Sequence, residues 1–256
     1  MRSSSDDGIE AGNDESERSA ARVSRPARFA RALRDWTKSL LIALLLFTVV
    51  RTFLVEAFRI PTRSMETTLL AGDFLLVNKA VYGAQVPGTR TRLPAFGEPQ
   101  RGDVIVFTPP HEPDRHYVKR VVGMPHDTLA MIDKTLYVNG ELLSEPYARY
   151  SDSNPFGDYS AASMLWQRAF LAHRIEERTY HPSRDNWGPL IVPADRYFVL
   201  GDNRDDSEDS RFWGFVHEEA VTGRPLLVYY SFEPGALGSL AYLTQVRWSR
   251  IGGLIH

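Results

Sequence analysis

A chain of 256 residues, 43% hydrophobic and 24% charged, has a globular composition and room for one anchored domain of roughly 200 residues. It has no cysteine, which excludes a disulfide scaffold, thiolate metal ligands and a cysteine nucleophile. A formal net charge of −2 argues against a generic nucleic-acid binder.

The charge is unevenly placed. Residues 1–17 are rich in Ser, Asp and Glu and nearly devoid of large apolar side chains, the composition of a disordered segment. Residues 18–38 turn basic, with Arg18, Arg22, Arg25, Arg28, Arg31, Arg34 and Lys38 against Asp35 alone. An apolar run, Leu40 to Val50, follows. By itself it is too short for a bilayer, which needs about 20 residues. Counted from Trp36 to Phe58 the stretch is long enough, provided Arg51 snorkels at the far interface. The division expected is a disordered cytoplasmic tail over 1–35 and a transmembrane anchor over 36–58. A buried core helix and a cleaved signal peptide are the alternatives. The second is disfavoured by the long basic region and by the lack of a small-x-small site after the run. The basic side predicts a cytoplasmic N-terminus. Everything after residue 58 then lies outside, close to a plasma-membrane surface.

Beyond the anchor the pattern changes to short apolar runs between turns. Phe58-Arg59-Ile60-Pro61-Thr62-Arg63-Ser64-Met65 carries a serine three residues after a proline. Phe74–Val77 and Val104–Phe107 read as strands, separated by a Pro- and Gly-rich loop over 84–102. In Tyr117-Val118-Lys119-Arg120-Val121-Val122 a lysine sits inside a strand pattern. A period of two puts Tyr117, Lys119 and Val121 on one face. A lysine among apolar neighbours loses solvation, its pKa falls, and its neutral amine can take a proton from a hydroxyl. For a single strand lysine, a snorkelling or salt-bridged role is the commoner outcome. Leu136 to Leu143 predicts a hairpin turning at Asn139-Gly140. Residues 161–173 predict a short helix, and 125–192 as a whole reads as an inserted, β-rich lobe. The third informative block is 193–216, PADRYFVLGDNRDDSEDSRFWGFV. Its carboxylates fail the EF-hand spacing. Leu226–Phe232 is too short for a second span.

The blocks around Ser64, around Lys119 and over 193–216 together resemble the bacterial type I signal peptidases, membrane serine proteases that remove signal peptides. The resemblance covers most of 40–124 and 193–216. It implies a mainly β, antiparallel catalytic core over 59–124 and 193–256 on a single N-terminal helix. Ser64 is the implied nucleophile and Lys119 its base. The Ser64 amide and the Thr62 hydroxyl are implied as the oxyanion donors. Ser207 is read as orienting the lysine, and Asp209 with Arg211 as an ion pair fixing the loop. No cofactor or metal is implied. The expected partners are preprotein signal peptides ending in Ala-x-Ala-like sequences, the lipid bilayer and the secretion machinery, with no nucleic acid. Three positions depart from the usual pattern: Arg63 for glycine, Thr67 for proline, and His126 for glycine, where a turn with less strain is expected. The competing readings are a Ser-His-Asp hydrolase using His111 or His116, a self-cleaving repressor, and a catalytically silent, membrane-tethered binding protein. The repressor lacks its DNA-binding head. The silent protein is opposed by the joint presence of Thr62, Ser64, Lys119 and Ser207.

Overall fold

The computed structural model describes residues 25–89, 91–151, 161–172, 179–235 and 241–255. The disorder expected for residues 1–24 lies outside them. The described chain divides into two units, one ending at Val50 and the other running from Arg51 to His256.

The first unit contributes one helix, α1 (Arg25–Val49). It starts at Arg25, well before the boundary expected at residue 36, so the described part of the expected tail is helical. The reason is local. Ala, Leu and Arg are strong helix formers, and no glycine or proline follows Pro26 within the helix. Leu40, Leu41, Ile42, Leu44, Leu45, Leu46 and Phe47 are all exposed. Over this stretch the helix is apolar on every side and has no polar face to turn toward water. The segment Phe29–Leu54 is long and apolar enough to cross a membrane.

The helix also ends sooner than Phe58, the last residue of the expected anchor. A π-turn over Val50–Leu54 gives way to strand β1 (Val55–Arg59). Val55 to Arg59 pair residue by residue with Asn78 to Phe74, so their backbone polar groups are satisfied in a sheet.

The second unit is mainly antiparallel β. Its strands are β1, β2 (Asp73–Asn78), β3 (Val104–Phe107), β4 (Tyr117–Gly123), β5 (Thr128–Ile132), β6 (Thr135–Val138), β7 (Glu141–Leu142), β8 (Trp187–Ile191), β9 (Arg196–Leu200), β10 (Val216–His217) and β11 (Val221–Ser231). Seven form one sheet in the order β1-β2-β11-β3-β4-β9-β10, and four form a second in the order β7-β6-β5-β8. The smaller sheet falls inside the segment read as an inserted lobe. It is not a separate body, because Arg51 to His256 form one compact unit. One buried cluster joins the two sheets: Leu129, Met131, Leu136 and Leu190 from the smaller pack with Val122, Phe198 and Leu200 from the larger.

The strand pattern explains the layering. Along β3 all four side chains are buried, with Val104 and Val106 in one cluster and Ile105 and Phe107 in another. A strand buried on both faces reads as a continuous apolar run. The hairpin turn forms at Asn139 and Gly140, which take φ of 55° and 86°. Two positive φ values are the signature of a type I′ turn. Ala161–Phe170, read as a helix, forms 3-10 turns instead of an α-helix.

Candidate functional site

The loop bearing Ser64 is tied at its base. Ile60 N–H donates to Asp73 O and Gly72 N–H to Ile60 O, both at 2.8 Å, closing the segment between β1 and β2. The fully buried Asp73 carboxylate accepts from Leu70 N–H, from Ser231 Oγ at 2.7 Å and from the Arg250 guanidinium at 2.6 Å. The basic C-terminal tail thus braces the serine loop. Met65 and Leu69, 1% and 0% exposed, anchor the loop's apolar side in the core. Ser64 is pinned from across the site, because its carbonyl accepts from Asn203 N–H at 3.0 Å.

Lys119 lies in β4 between β3 and β9, so its backbone is fixed on both sides. Its Nζ is 2.6 Å from Ser64 Oγ. Lys119 is 4% exposed. Burial lowers its pKa to about 8, and the Arg211 guanidinium pushes the same way; the Asp209 carboxylate opposes them. Thr62 Oγ1 lies 3.4 Å from Ser64 Oγ. Among the described residues nothing accepts from the Ser64 amide.

Ser207, read as orienting the lysine, has a further partner: its hydroxyl donates to Asp209 Oδ2 at 2.7 Å. Gly201 explains its placement. A Cβ there would lie 2.2 Å from Ser207 Oγ and 2.5 Å from the Ser64 carbonyl oxygen, so both segments close onto a bare Cα. Asp209 and Arg211 form a bidentate ion pair, at 2.8 and 2.9 Å, with both side chains fully buried. Burial alone would raise the Asp209 carboxyl. The Arg211 guanidinium, the Gly201 amide and Lys119 together outweigh it and hold it below the usual carboxylate range.

Sequence reasoning missed several contributors. Arg120, the neighbour of Lys119, pairs with Asp202 at 2.9 and 2.8 Å. Thr68, in the serine loop, donates to the same carboxylate. Arg204 pairs with Glu145, and Arg184 with Asp205 at 3.2 Å. The acidic loop is therefore held by arginines, including partners from the 125–192 segment. The only sequence signal was the surplus of charges in 202–211, which has no pairing code. The rival histidines have other partners. His111 lies 3.9 Å from Glu208, and His116 packs edge-on to Phe58.

Two departures acquire geometry. Thr67 takes φ 118°, a value proline cannot reach, and its hydroxyl donates to Tyr147 O at 2.8 Å. His126 takes φ 70°, the left-handed region where a side chain costs energy and glycine does not. The expectation of a less strained turn at His126 is thus reversed: the histidine carries strain that glycine would avoid.

A buried, deprotonable amine against a serine hydroxyl is the chemistry of a serine hydrolase whose base is a lysine. Residues 33–230 match the family described as signal peptidase, peptidase S26. A signal peptidase I of Pseudomonas aeruginosa is 38% identical, covering 88% of this chain and 80% of that protein. One from Aquifex aeolicus is 32% identical over 78% of this chain and 85% of its own. A solved signal peptidase I from Enterococcus faecalis V583 is 35% identical, covers 50% of this chain and 96% of its own, and has a TM-score of 0.33. The chain belongs to the signal peptidase family, peptidase S26.

Proposed function

We infer that this protein is a type I signal peptidase, a serine endopeptidase that cuts signal peptides from preproteins after small-x-small sequences. The 2.6 Å approach of Lys119 Nζ to Ser64 Oγ carries the reading. Neutral Lys119 removes the Ser64 proton as Oγ attacks the scissile carbonyl. The oxyanion is held by the Ser64 amide and the Thr62 hydroxyl. The tetrahedral adduct expels the amine of the mature chain, which takes its proton from the lysine ammonium. A water molecule, deprotonated by the same amine, then opens the acyl-enzyme and frees Ser64. Ser207 acts at one remove: its bond to Asp209 and its contact with Gly201 set the wall beside the dyad.

The same reading makes α1 a single membrane anchor, with the N-terminus cytoplasmic and the β unit outside. The helix's length and apolar surface support it, as does the basic sequence on one side of the apolar run. Anchoring would hold the enzyme at the face where preproteins emerge from the secretion machinery and raise their effective concentration.

The test is cleavage of an Ala-x-Ala preprotein by wild type, Ser64→Ala and Lys119→Ala in detergent. Wild type cuts after the second alanine, and both variants are folded and inactive. Inactive wild type in detergent and in lipid would favour a silent, tethered binding protein instead.

A further inference from the structure

Two carboxylates of the acidic loop, the exposed Asp206 and Glu208, have no arginine partner among the described residues. Asp202, Asp205 and Asp209 are each paired with a buried arginine. Among the described residues the ion-pair partner of Glu208, whose side chain is 49% exposed, is an imidazole, His111, at 3.9 Å. The His111 ring is fixed in turn. It lies tilted against Trp213 at 5.5 Å and meets Tyr117 edge-on at 5.7 Å. Tyr117 also neighbours the dyad, with Lys119 Nζ 5.7 Å from the ring centroid. Glu208 is also bonded in sequence between Ser207 and Asp209, which form the wall beside Lys119. The aromatic cluster thus links an exposed negative charge to Tyr117, the ring beside the buried amine.

We propose that Glu208, held by His111 and Trp213, is a positioning charge for the dyad, whose field keeps a proton on Lys119 and limits how far into acid the enzyme works. The proposal rests on the reading of Lys119 as the base. The charged groups acting on the lysine are Asp209, Arg211, Glu208 and Asp202. Around Glu208 stand His111 and, across Tyr117, Glu112 and Arg115, which pair with each other at 3.3 Å. Asp209, Asp202 and Arg211 are locked in buried pairs whose removal would damage the fold. Glu208 is the member of the set that can change without leaving an unpaired buried charge. Its negative charge favours the ammonium and so raises the lysine's proton affinity, against the lowering by burial. Solvent screens a half-exposed carboxylate, so the effect is modest and sensitive to salt.

The experiment is a pH profile of kcat/KM on an Ala-x-Ala preprotein for the full chain, with Glu208→Gln, Glu208→Asp and Glu208→Lys. Removing the charge lets Lys119 lose its proton at lower pH. Glu208→Gln then raises kcat/KM about two- to threefold at pH 6.5 and leaves the alkaline plateau unchanged. Glu208→Lys moves further the same way, Glu208→Asp restores the wild-type profile, and added 0.5 M NaCl shrinks every difference by screening. Superimposed profiles for wild type and Glu208→Gln would overturn the proposal. So would a change of equal size at every pH, the mark of a purely structural role. A parallel titration of ¹³C-labelled Lys119 by NMR reads the same shift without turnover. Should wild type fail to cleave, the functional reading falls, and the NMR titration still decides the part played by Glu208.

Discussion

Lys119, the proposed base, shows what burying an amine costs. The amine sits in a buried strand, 4% exposed, with its pKa lowered to about 8 from 10.5. Only the neutral form can deprotonate Ser64, so activity rises with pH and levels off once the amine has titrated. A kcat/KM profile with its acidic limb near pH 8 is the expected result. The same shift burdens the fold. At pH 7 the folded chain holds a charged amine that the unfolded chain would hold more easily. This penalty is complete below pH 8 and disappears as pH rises toward the unfolded value. Lys119→Met therefore abolishes cleavage and stabilises the protein by on the order of 3 kcal/mol at pH 7, measured by urea unfolding. Thr62 offers the converse test. Its exposed hydroxyl lies 3.4 Å from Ser64 Oγ. If it is the proposed oxyanion donor, Thr62→Val lowers kcat about 100–1,000-fold with little effect on unfolding.

At the level of elements, the site is a meeting of loops held on rigid strands. The segment 201–211 reaches the Ser64 carbonyl through Asn203, the lysine's neighbour Arg120 through Asp202, and Arg184 through Asp205. Gly201 allows the closest of these approaches. A methyl group there has no space, since it would overlap both Ser207 and the Ser64 carbonyl. Gly201→Ala is expected to abolish turnover and lower Tm. The Asp209–Arg211 pair fixes the far end of the loop. Arg211→Ala leaves Asp209 buried and unpaired and costs about 3–5 kcal/mol, seen as a lower urea midpoint. Because the Asp209 carboxyl is held below its unfolded pKa, the stability it supplies is fully present above that value. It is lost as pH falls through the lower, folded value.

At the level of the whole molecule, the two units do different work. The unit from Arg51 onward has its own cores and both sheets. A chain beginning at Arg51 is expected to retain the Tm of the full protein in detergent while no longer co-sedimenting with membranes. Its kcat/KM on a detergent-solubilised preprotein stays close to the full chain's, and its activity on membrane-embedded preprotein falls because co-localisation is lost. For orientation, protease added outside sealed vesicles of known sidedness should digest the β unit only when its proposed extracytoplasmic face is outward.

Much of this was legible in linear order. The strand lysine, the serine after a proline, the Asn-Gly turn and the long apolar run each depend on local chemistry: period, turn residues and hydropathy. The short, turn-bounded runs read as strands, and the resemblance to the signal peptidases implied their antiparallel arrangement. What the sequence left open was every fact that depends on distant residues meeting. No local rule says that Asp202 chooses Arg120, that Arg184 chooses Asp205, or that the Arg250 of the tail braces the Ser64 loop through Asp73. Element ends were also beyond reach, because helix formers at 25–35 extend α1 upstream while sheet pairing claims Val55–Arg59 from the expected anchor. The sequence by itself determined the chemical groups and the strands and loops that carry them. Only the tertiary structure decided which amine met which hydroxyl and which charges were buried together, because desolvation and contact are properties of the packed chain.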